Sequence, residues 1–151
     1  MVAADSRTPY DLCTGLQDNS AWCGPSSTLA DTVVSGDDWF VVAGGDGEYA
    51  VPAPSDPDII YADSEDGAIT RFDRKTKQSL FIMPYLHGPG YVDDLPPFAQ
   101  KIRFNWTPPI AVDPQDANTV YVGGNVLLKS VDGGLDWKTI SPDLTRNDKS
   151  K

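Results

Sequence analysis

Apolar residues in this chain come in short runs, separated by clusters of glycine, proline, aspartate and asparagine. Runs such as DDWFVVAGG (37–45), IIYADS (59–64) and TVYVGG (119–124) are rich in β-branched and aromatic residues. No long stretch repeats its apolar positions at the helical period of 3.6 residues. Short strands bounded by turn-forming residues are typical of β-sandwiches, barrels and propellers. The pattern therefore predicts an all-β protein.

A sequence repeat organises these strands. PSDPDIIYADSEDGAITRFD (54–73) aligns with PQDANTVYVGGNVLLKSVDG (114–133), so that Tyr61 matches Tyr121 and Arg71 matches Lys129. Each copy predicts three strands, and a further short strand precedes it, YAVPAP (49–54) or PPIAVDP (108–114). An earlier, degenerate copy begins at YDLCTGLQDNSAWCGPS (10–26). A period of roughly 40 to 60 residues with three or four strands indicates propeller blades.

The repeat predicts a partial β-propeller over residues 8–147. Its expected blades span about residues 8–45, 46–84 and 103–143, with an inserted loop at 85–101 and flexible ends at 1–7 and 148–151. Propellers close with typically about four to eight blades. We therefore expect the remaining blades of a longer propeller, or other copies of this chain, as partners.

Charge narrows the range of partners. The chain has 12 basic and 22 acidic residues and a formal net charge of -10. This field repels phosphate backbones and anionic membrane surfaces, so nucleic acid is not an expected partner. No apolar run is long enough to span a membrane, and MVAADSRTPY (1–10) has no signal-peptide pattern. With two cysteines and one histidine, the sequence predicts no zinc site and no cofactor.

Cys13 and Cys23 flank the polar stretch GLQDNSA (15–21). If this stretch is a hairpin turn centred near Asp18, the two cysteines face each other across neighbouring strands. A cross-strand disulfide would favour an oxidising compartment. The alternative is two reduced cysteines that pack as small hydrophobic residues.

SVDGGLDW (130–137) fits the Asp-box pattern Ser-x-Asp-x-Gly-x-x-Trp through Ser130, Asp132, Gly134 and Trp137. Together with GLQDNSAW (15–22), DDWFVVAGGDGEY (37–49) and RFNWTPPI (103–110), in that order, the chain resembles the BNR-repeat, sortilin-like β-propellers, which are often labelled glycosyl-hydrolase-like. The resemblance covers about residues 8–147 and implies a secreted or periplasmic location. We expect the Asp-box to be structural, with Ser130 and Asp132 bonded to the turn and Trp137 packed between sheets.

In a propeller, loops that enter the innermost strand and loops between the second and third strands share one face. This arrangement predicts a common mouth, formed by Gln17, Asp18, Asn19, Asp46, Glu48, Asp63, Glu65, Arg103, Asn105 and Trp106. The expected ligand is a carbohydrate or a peptide. Trp106 would stack on it, Gln17, Asn19 and Asn105 would hydrogen-bond to it, and Arg103 would hold a carboxylate.

Three interpretations of the mouth remain open. The chain can be a scaffold or ligand-binding module without catalysis. It can also be a fragment of a glycoside hydrolase whose pocket is completed by missing blades, with Asp18 and Asp46 as the catalytic carboxylates. Such a pair must stand about 5 Å apart for retention, or about 6.5–9.5 Å apart for inversion. The third interpretation is turn formation by these residues, with Trp106 in the core.

Overall fold

The structure is a computed structural model, and it describes residues 1–28, 33–84 and 102–148. These residues form three four-stranded antiparallel sheets. The all-β class is therefore confirmed. The predicted inserted loop at 85–101 lies outside the described residues, as does most of the predicted flexible end 148–151. In the part of the chain that is described, no helix is both long and apolar enough to cross a membrane.

Each sheet keeps its four strands in chain order. The first sheet consists of β1 (Val2–Ala4), β2 (Asp11–Gly15), β3 (Ala21–Pro25) and β4 (Phe40–Ala43). The second sheet consists of β5 (Ala50–Ala53), β6 (Asp56–Asp63), β7 (Ile69–Asp73) and β8 (Gln78–Phe81). The third sheet consists of β9 (Ile110–Val112), β10 (Val120–Gly123), β11 (Leu127–Ser130) and β12 (Lys138–Thr139).

The N-terminal residues, for which the sequence predicts a flexible end at 1–7, include the first strand of the first sheet. Val2–Ala4 is a strand, because its backbone pairs with β2, where Val2 faces Thr14. Arg7 then fixes the segment that follows by bonding to the carboxylates of Asp5 and Asp58. Strand pairing and these ion pairs attach the N-terminal segment to the first and second sheets.

Two layers of apolar side chains hold the sheets together. One face of the second sheet, including Ile60 and Phe72, packs against Cys13 and Val42 of the first sheet. The opposite face, including Tyr61, packs against β9 and β10 of the third sheet. Burial of a large apolar side chain stabilises a fold by about 1.5–3 kcal/mol. The second sheet is therefore the middle layer of a three-sheet stack.

The first strands of the sheets lie next to one another, since β5 contacts both β1 and β9. With the chain running the same way through each sheet, the loops before the first strands and between the second and third strands fall at one end. We call this end the loop end and define it by residues 16–20, 44–49, 64–68, 102–109 and 124–126. The Asp-box, between β11 and β12, lies at the opposite end.

Candidate functional site

Loop 44–49 occupies the centre of the loop end. It connects β4 of the first sheet to β5 of the second, and its backbone bonds to the β2–β3 turn. The Ser20 amide donates to the Gly45 carbonyl (3.1 Å), and the Gly47 amide donates to the Leu16 carbonyl (3.1 Å). A Cβ at Gly47 would lie 2.2 Å from the Ser20 carbonyl oxygen, so only glycine permits this approach. The sequence GGDG therefore allows two backbone segments to come into direct contact.

The predicted catalytic residues Asp18 and Asp46 do meet, but through a backbone bond. The Asp46 carboxylate accepts a hydrogen bond from the Asp18 amide (2.9 Å), and the Asp46 amide donates to the Glu65 carboxylate (3.0 Å). Asp18 has a left-handed backbone (φ 59°), a conformation that aspartate tolerates in turns. Its side chain is exposed, whereas that of Asp46 is half-buried. The carboxylates of Asp46 and Glu65 thus tie three loops together.

Asp63 lies beneath loop 44–49 and is fully buried. One carboxyl oxygen accepts a hydrogen bond from the Tyr49 amide (2.7 Å), while the other has no partner among the described residues. Burial raises the pKa of Asp63 to about 7, and the negative charge of Glu48 adds to the increase, against the lowering effect of the Tyr49 amide. Asp63 was one of ten predicted mouth residues, and its burial sets it apart from the others.

Arg103 is engaged within the protein. Its amide donates to the Asn125 side chain (2.7 Å), and its guanidinium donates to Asp143 (2.9 Å) and to Thr145 (2.9 Å). Asn125 also donates to Asp143 (3.1 Å). The Thr145 hydroxyl, followed by the Thr145 amide and the other donors, lowers the pKa of Asp143 below its usual range. This cluster attaches the segment after β12 to the loop end. Arg103 therefore holds a carboxylate of this chain, that of Asp143.

The other predicted ligand-binding residues are exposed on these loops. Trp106 is 48% exposed, so it is not a core residue. Asn105 accepts a hydrogen bond from the Trp106 amide (2.9 Å), which fixes the local turn. The neighbouring Thr107 hydroxyl donates to Glu48 (3.0 Å) and links this loop to loop 44–49. Gln17 and Asn19 are exposed on the β2–β3 turn.

The Asp-box is a closed turn between β11 and β12. The Ser130 hydroxyl donates to Asp132 (2.7 Å) and accepts from the Gly134 amide (2.9 Å). The Asp132 carboxylate also accepts from the amides of Leu135 (3.1 Å) and Asp136 (3.0 Å). These contacts lower the pKa of Asp132, the Asp136 amide having the largest effect. All of them satisfy groups within the turn itself.

The tryptophan of the Asp-box joins two sheets. Trp137 packs with the apolar residues between the second and third sheets, and its indole N–H donates to the Ile82 carbonyl (2.9 Å). Gly134 has a positive φ of 95°, and a Cβ there would lie 2.4 Å from Ile82. The motif thus shapes the junction between sheets, at the end away from the predicted mouth.

Cys13 and Cys23 form a disulfide between β2 and β3. The two residues are directly opposite in the strand register, with their Cα atoms 4.1 Å apart. Both are buried against the second sheet. The disulfide therefore belongs to the layer between the first and second sheets, directly behind the β2–β3 turn of the loop end.

Two contributors to the site were not anticipated from the sequence. Asn125 and Asp143 hold Arg103, yet they lie 22 and 40 residues from it in the chain. No local motif marks either residue. Within the described ranges, no group of three or more histidine, cysteine, aspartate or glutamate side chains is arranged to hold a metal ion.

Comparison with known proteins adds no relative, because no protein-family model and no curated protein matches the chain.

Proposed function

We propose that this chain is part of a BNR-repeat, sortilin-like β-propeller whose loop end binds a ligand. Three features support the propeller. The sheets have equal strand number and order, their first strands are adjacent, and each neighbouring pair packs face to face. The Asp-box turn supports it as well, since Trp137 joins two consecutive sheets. A propeller extends the same packing to further blades.

The outer faces of the stack are the places for those further blades. On the first sheet this face contains Trp22 and its cross-strand neighbour Val41, which is 44% exposed. On the third sheet it contains Tyr121, with Ala111 and Lys129 directly opposite. The partners we propose are the remaining blades of a longer propeller or other copies of this chain. An extracytoplasmic location is part of the same proposal, because disulfides persist in oxidising compartments.

The binding function rests on one observation, the convergence of loops from all three sheets. Hydrogen bonds connect the β2–β3 turn to Asp46, and Glu48 to Thr107, in one continuous network. Trp106 stands exposed at its surface, with exposed amide side chains on the same loops. An aromatic ring and several amides suit a ligand with both an apolar face and hydroxyl or peptide groups. We therefore propose a carbohydrate or peptide ligand.

A glycan and peptide array tests this function with Trp106→Ala. We expect loss of the bound ligand in this variant, because the ring supplies the stacking surface. Tyr10→Ala is the matched control, since Tyr10 is 47% exposed and precedes β2 at the opposite end. Equal binding by wild type and Trp106→Ala, or equal loss in both variants, would contradict the placement of the site.

A second candidate is glycoside hydrolysis, and the position of the Asp46 carboxylate against the β2–β3 turn, which carries the exposed side chain of Asp18, favours it. A glycosidase uses one carboxyl group as the acid and a second as base or nucleophile. Asp46→Asn keeps the acceptor for the Asp18 amide and removes the charge, so the turn should persist. Under this hypothesis the chain cleaves a glycan in a substrate panel, and both Asp18→Asn and Asp46→Asn abolish cleavage. No cleavage by the wild type, or full activity in either variant, argues against it.

A further inference from the structure

Asp63 occupies a position where the other two sheets have glycine. The last pair of residues between the second and third strands is Gly15–Ala21 in the first sheet, Asp63–Ile69 in the second and Gly123–Leu127 in the third. A Cβ at Gly15 would lie 2.3 Å from the Glu48 amide nitrogen, and a Cβ at Gly123 would lie 2.8 Å from the Pro109 ring. A carboxyl group at this strand position is therefore not required to form the sheet. Of the three sheets, only the second has space for a side chain there.

The surroundings of Asp63 suit the neutral acid. The residue is fully buried, and one carboxyl oxygen is unpartnered within the described part of the chain. An ionised carboxylate would place charge on that oxygen without a donor, which is strongly unfavourable in a buried site. Glu48, on the loop above, repels the same charge. The protonated form removes the charge and its repulsion by Glu48, and a neutral hydroxyl costs less to bury than an ionised carboxylate does.

The backbone on either side of Asp63 is paired with loop 44–49. The Glu48 amide donates to the Asp63 carbonyl (3.2 Å), and the Asp63 amide donates to the Tyr49 carbonyl (3.1 Å). With the Tyr49 amide on the carboxyl group, three hydrogen bonds join Asp63 to the end of this loop. A change in the charge of Asp63 therefore acts first on Glu48 and Tyr49.

Loop 44–49 passes such a change to all three sheets. Asp46 bonds to the Asp18 amide on the first sheet and to Glu65 on the second. Glu48 bonds to Thr107, beside the exposed Trp106, on the loop that enters the third sheet. The loop is the shared support of the residues proposed to bind the ligand.

We propose that the protonation state of Asp63 controls the loop end, with the neutral acid holding loop 44–49 closed against the three sheets and the carboxylate releasing it. The control makes ligand binding stronger at acidic than at alkaline pH. It depends on the proposed function only where it concerns a ligand, because the movement of the loop is a property of the chain alone.

The charged groups around Asp63 set the pH range. On loop 44–49, the negative charge of Glu48 raises the pKa of Asp63. On loop 64–68, which follows Asp63 in the chain, the Glu65 carboxylate accepts a hydrogen bond from the Asp46 amide. From the first sheet, the amino group of Met1 bonds to the Glu48 carbonyl, and its positive charge lowers the pKa of Asp63. On the loop entering the third sheet, Arg103 is held by Asp143. With burial as the main cause, the pKa of about 7 places the change near neutral pH.

The test is nuclear magnetic resonance without any ligand, at pH values from about 5 to about 9. We expect the Asp63 carboxyl carbon to titrate near neutrality. Over the same range, the amide of Glu48, which donates to the Asp63 carbonyl, should lose at least about tenfold in protection from hydrogen exchange, after correction for intrinsic rates. Asp63→Asn, which mimics the neutral acid, should keep that amide protected throughout.

Asp66→Asn is the matched control. Asp66 is exposed on loop 64–68, which directly follows Asp63, and asparagine tolerates its left-handed backbone (φ 58°). It should behave as the wild type does. The proposal is overturned if Asp63 titrates at the ordinary pKa of aspartate, or if Asp63→Asn retains the wild-type pH dependence of exchange. If Asp63→Asn does not fold, the wild type decides: the Asp46 and Tyr49 amide shifts must share the midpoint of the Asp63 carboxyl carbon. None of these outcomes depends on whether a ligand is ever found.

Discussion

Buried and exposed carboxyl groups in this protein affect stability in opposite directions. The pKa of Asp132 and that of Asp143 are lowered by hydrogen bonds, so both groups stabilise the fold above pH 4 or so and lose this contribution as pH falls. The pKa of Asp63 is raised to about 7 from an unfolded value of 3.8. Between these two values the folded state keeps a proton that the unfolded state has lost, so stability declines as pH rises.

This difference predicts the pH profile of the free energy of unfolding. For the wild type, we expect the Asp63 contribution to fall from about pH 4 to about pH 7 and to be constant above, by at most about 4 kcal/mol for three pKa units. Asp63→Asn has no proton to lose and should lack this decline. Urea unfolding of both proteins across the range measures the difference. A parallel profile for the two proteins would show that Asp63 is ionised in the folded state.

Some contacts of single residues can be predicted from the sequence, and others cannot. The repeat aligned Tyr61 with Tyr121 and Arg71 with Lys129, and the structure has both Tyr–Arg and Tyr–Lys pairs directly across neighbouring strands. Such positions are set by local alternation, which the sequence displays. The bond from Arg103 to Asp143 depends on tertiary packing over 40 residues, and no local pattern encodes it.

At the scale of elements, the sequence predicts the turns more reliably than it predicts very short strands. β1 has three residues, too few to display an alternating pattern, and it is defined by pairing with β2. The turn residues of GGDG and SVDGGLDW are recognisable because glycine permits conformations and close approaches that other residues do not. The sequence thus indicated where the chain turns better than how the loops bond to one another.

Loop 44–49 offers a direct test of one such close approach. Gly47→Ala places a Cβ 2.2 Å from the Ser20 carbonyl oxygen, so the backbone must move, and we expect a loss of about 1–3 kcal/mol in the free energy of unfolding. Gly44→Ala is the matched control in the same loop, because no atom lies within 4 Å of the added carbon. Thermal and urea unfolding compare the two. Equal stability of both variants would mean that the loop does not rest on the β2–β3 turn.

At the scale of the whole molecule, the described residues form a stack that is covered in the middle and open on both sides. Within the described ranges, the second sheet has a neighbour on each face, whereas the first and third sheets have one neighbour each. Both faces of the second sheet are packed with apolar residues, which is the arrangement that repeat architectures extend from unit to unit. The outer face of the first sheet should therefore bind another sheet.

Self-association of the isolated chain follows from this open face. We expect the mass measured by light scattering to rise with concentration, and Val41→Glu to suppress the rise, because a charge on the outer face of the first sheet opposes its burial. Leu80→Glu is the matched control: Leu80 is 45% exposed, against 44% for Val41, and it belongs to the middle sheet, which already has both neighbours. It should associate as the wild type does. If the chain remains monomeric at every concentration, or if both substitutions have the same effect, the outer face of the first sheet is not a docking surface.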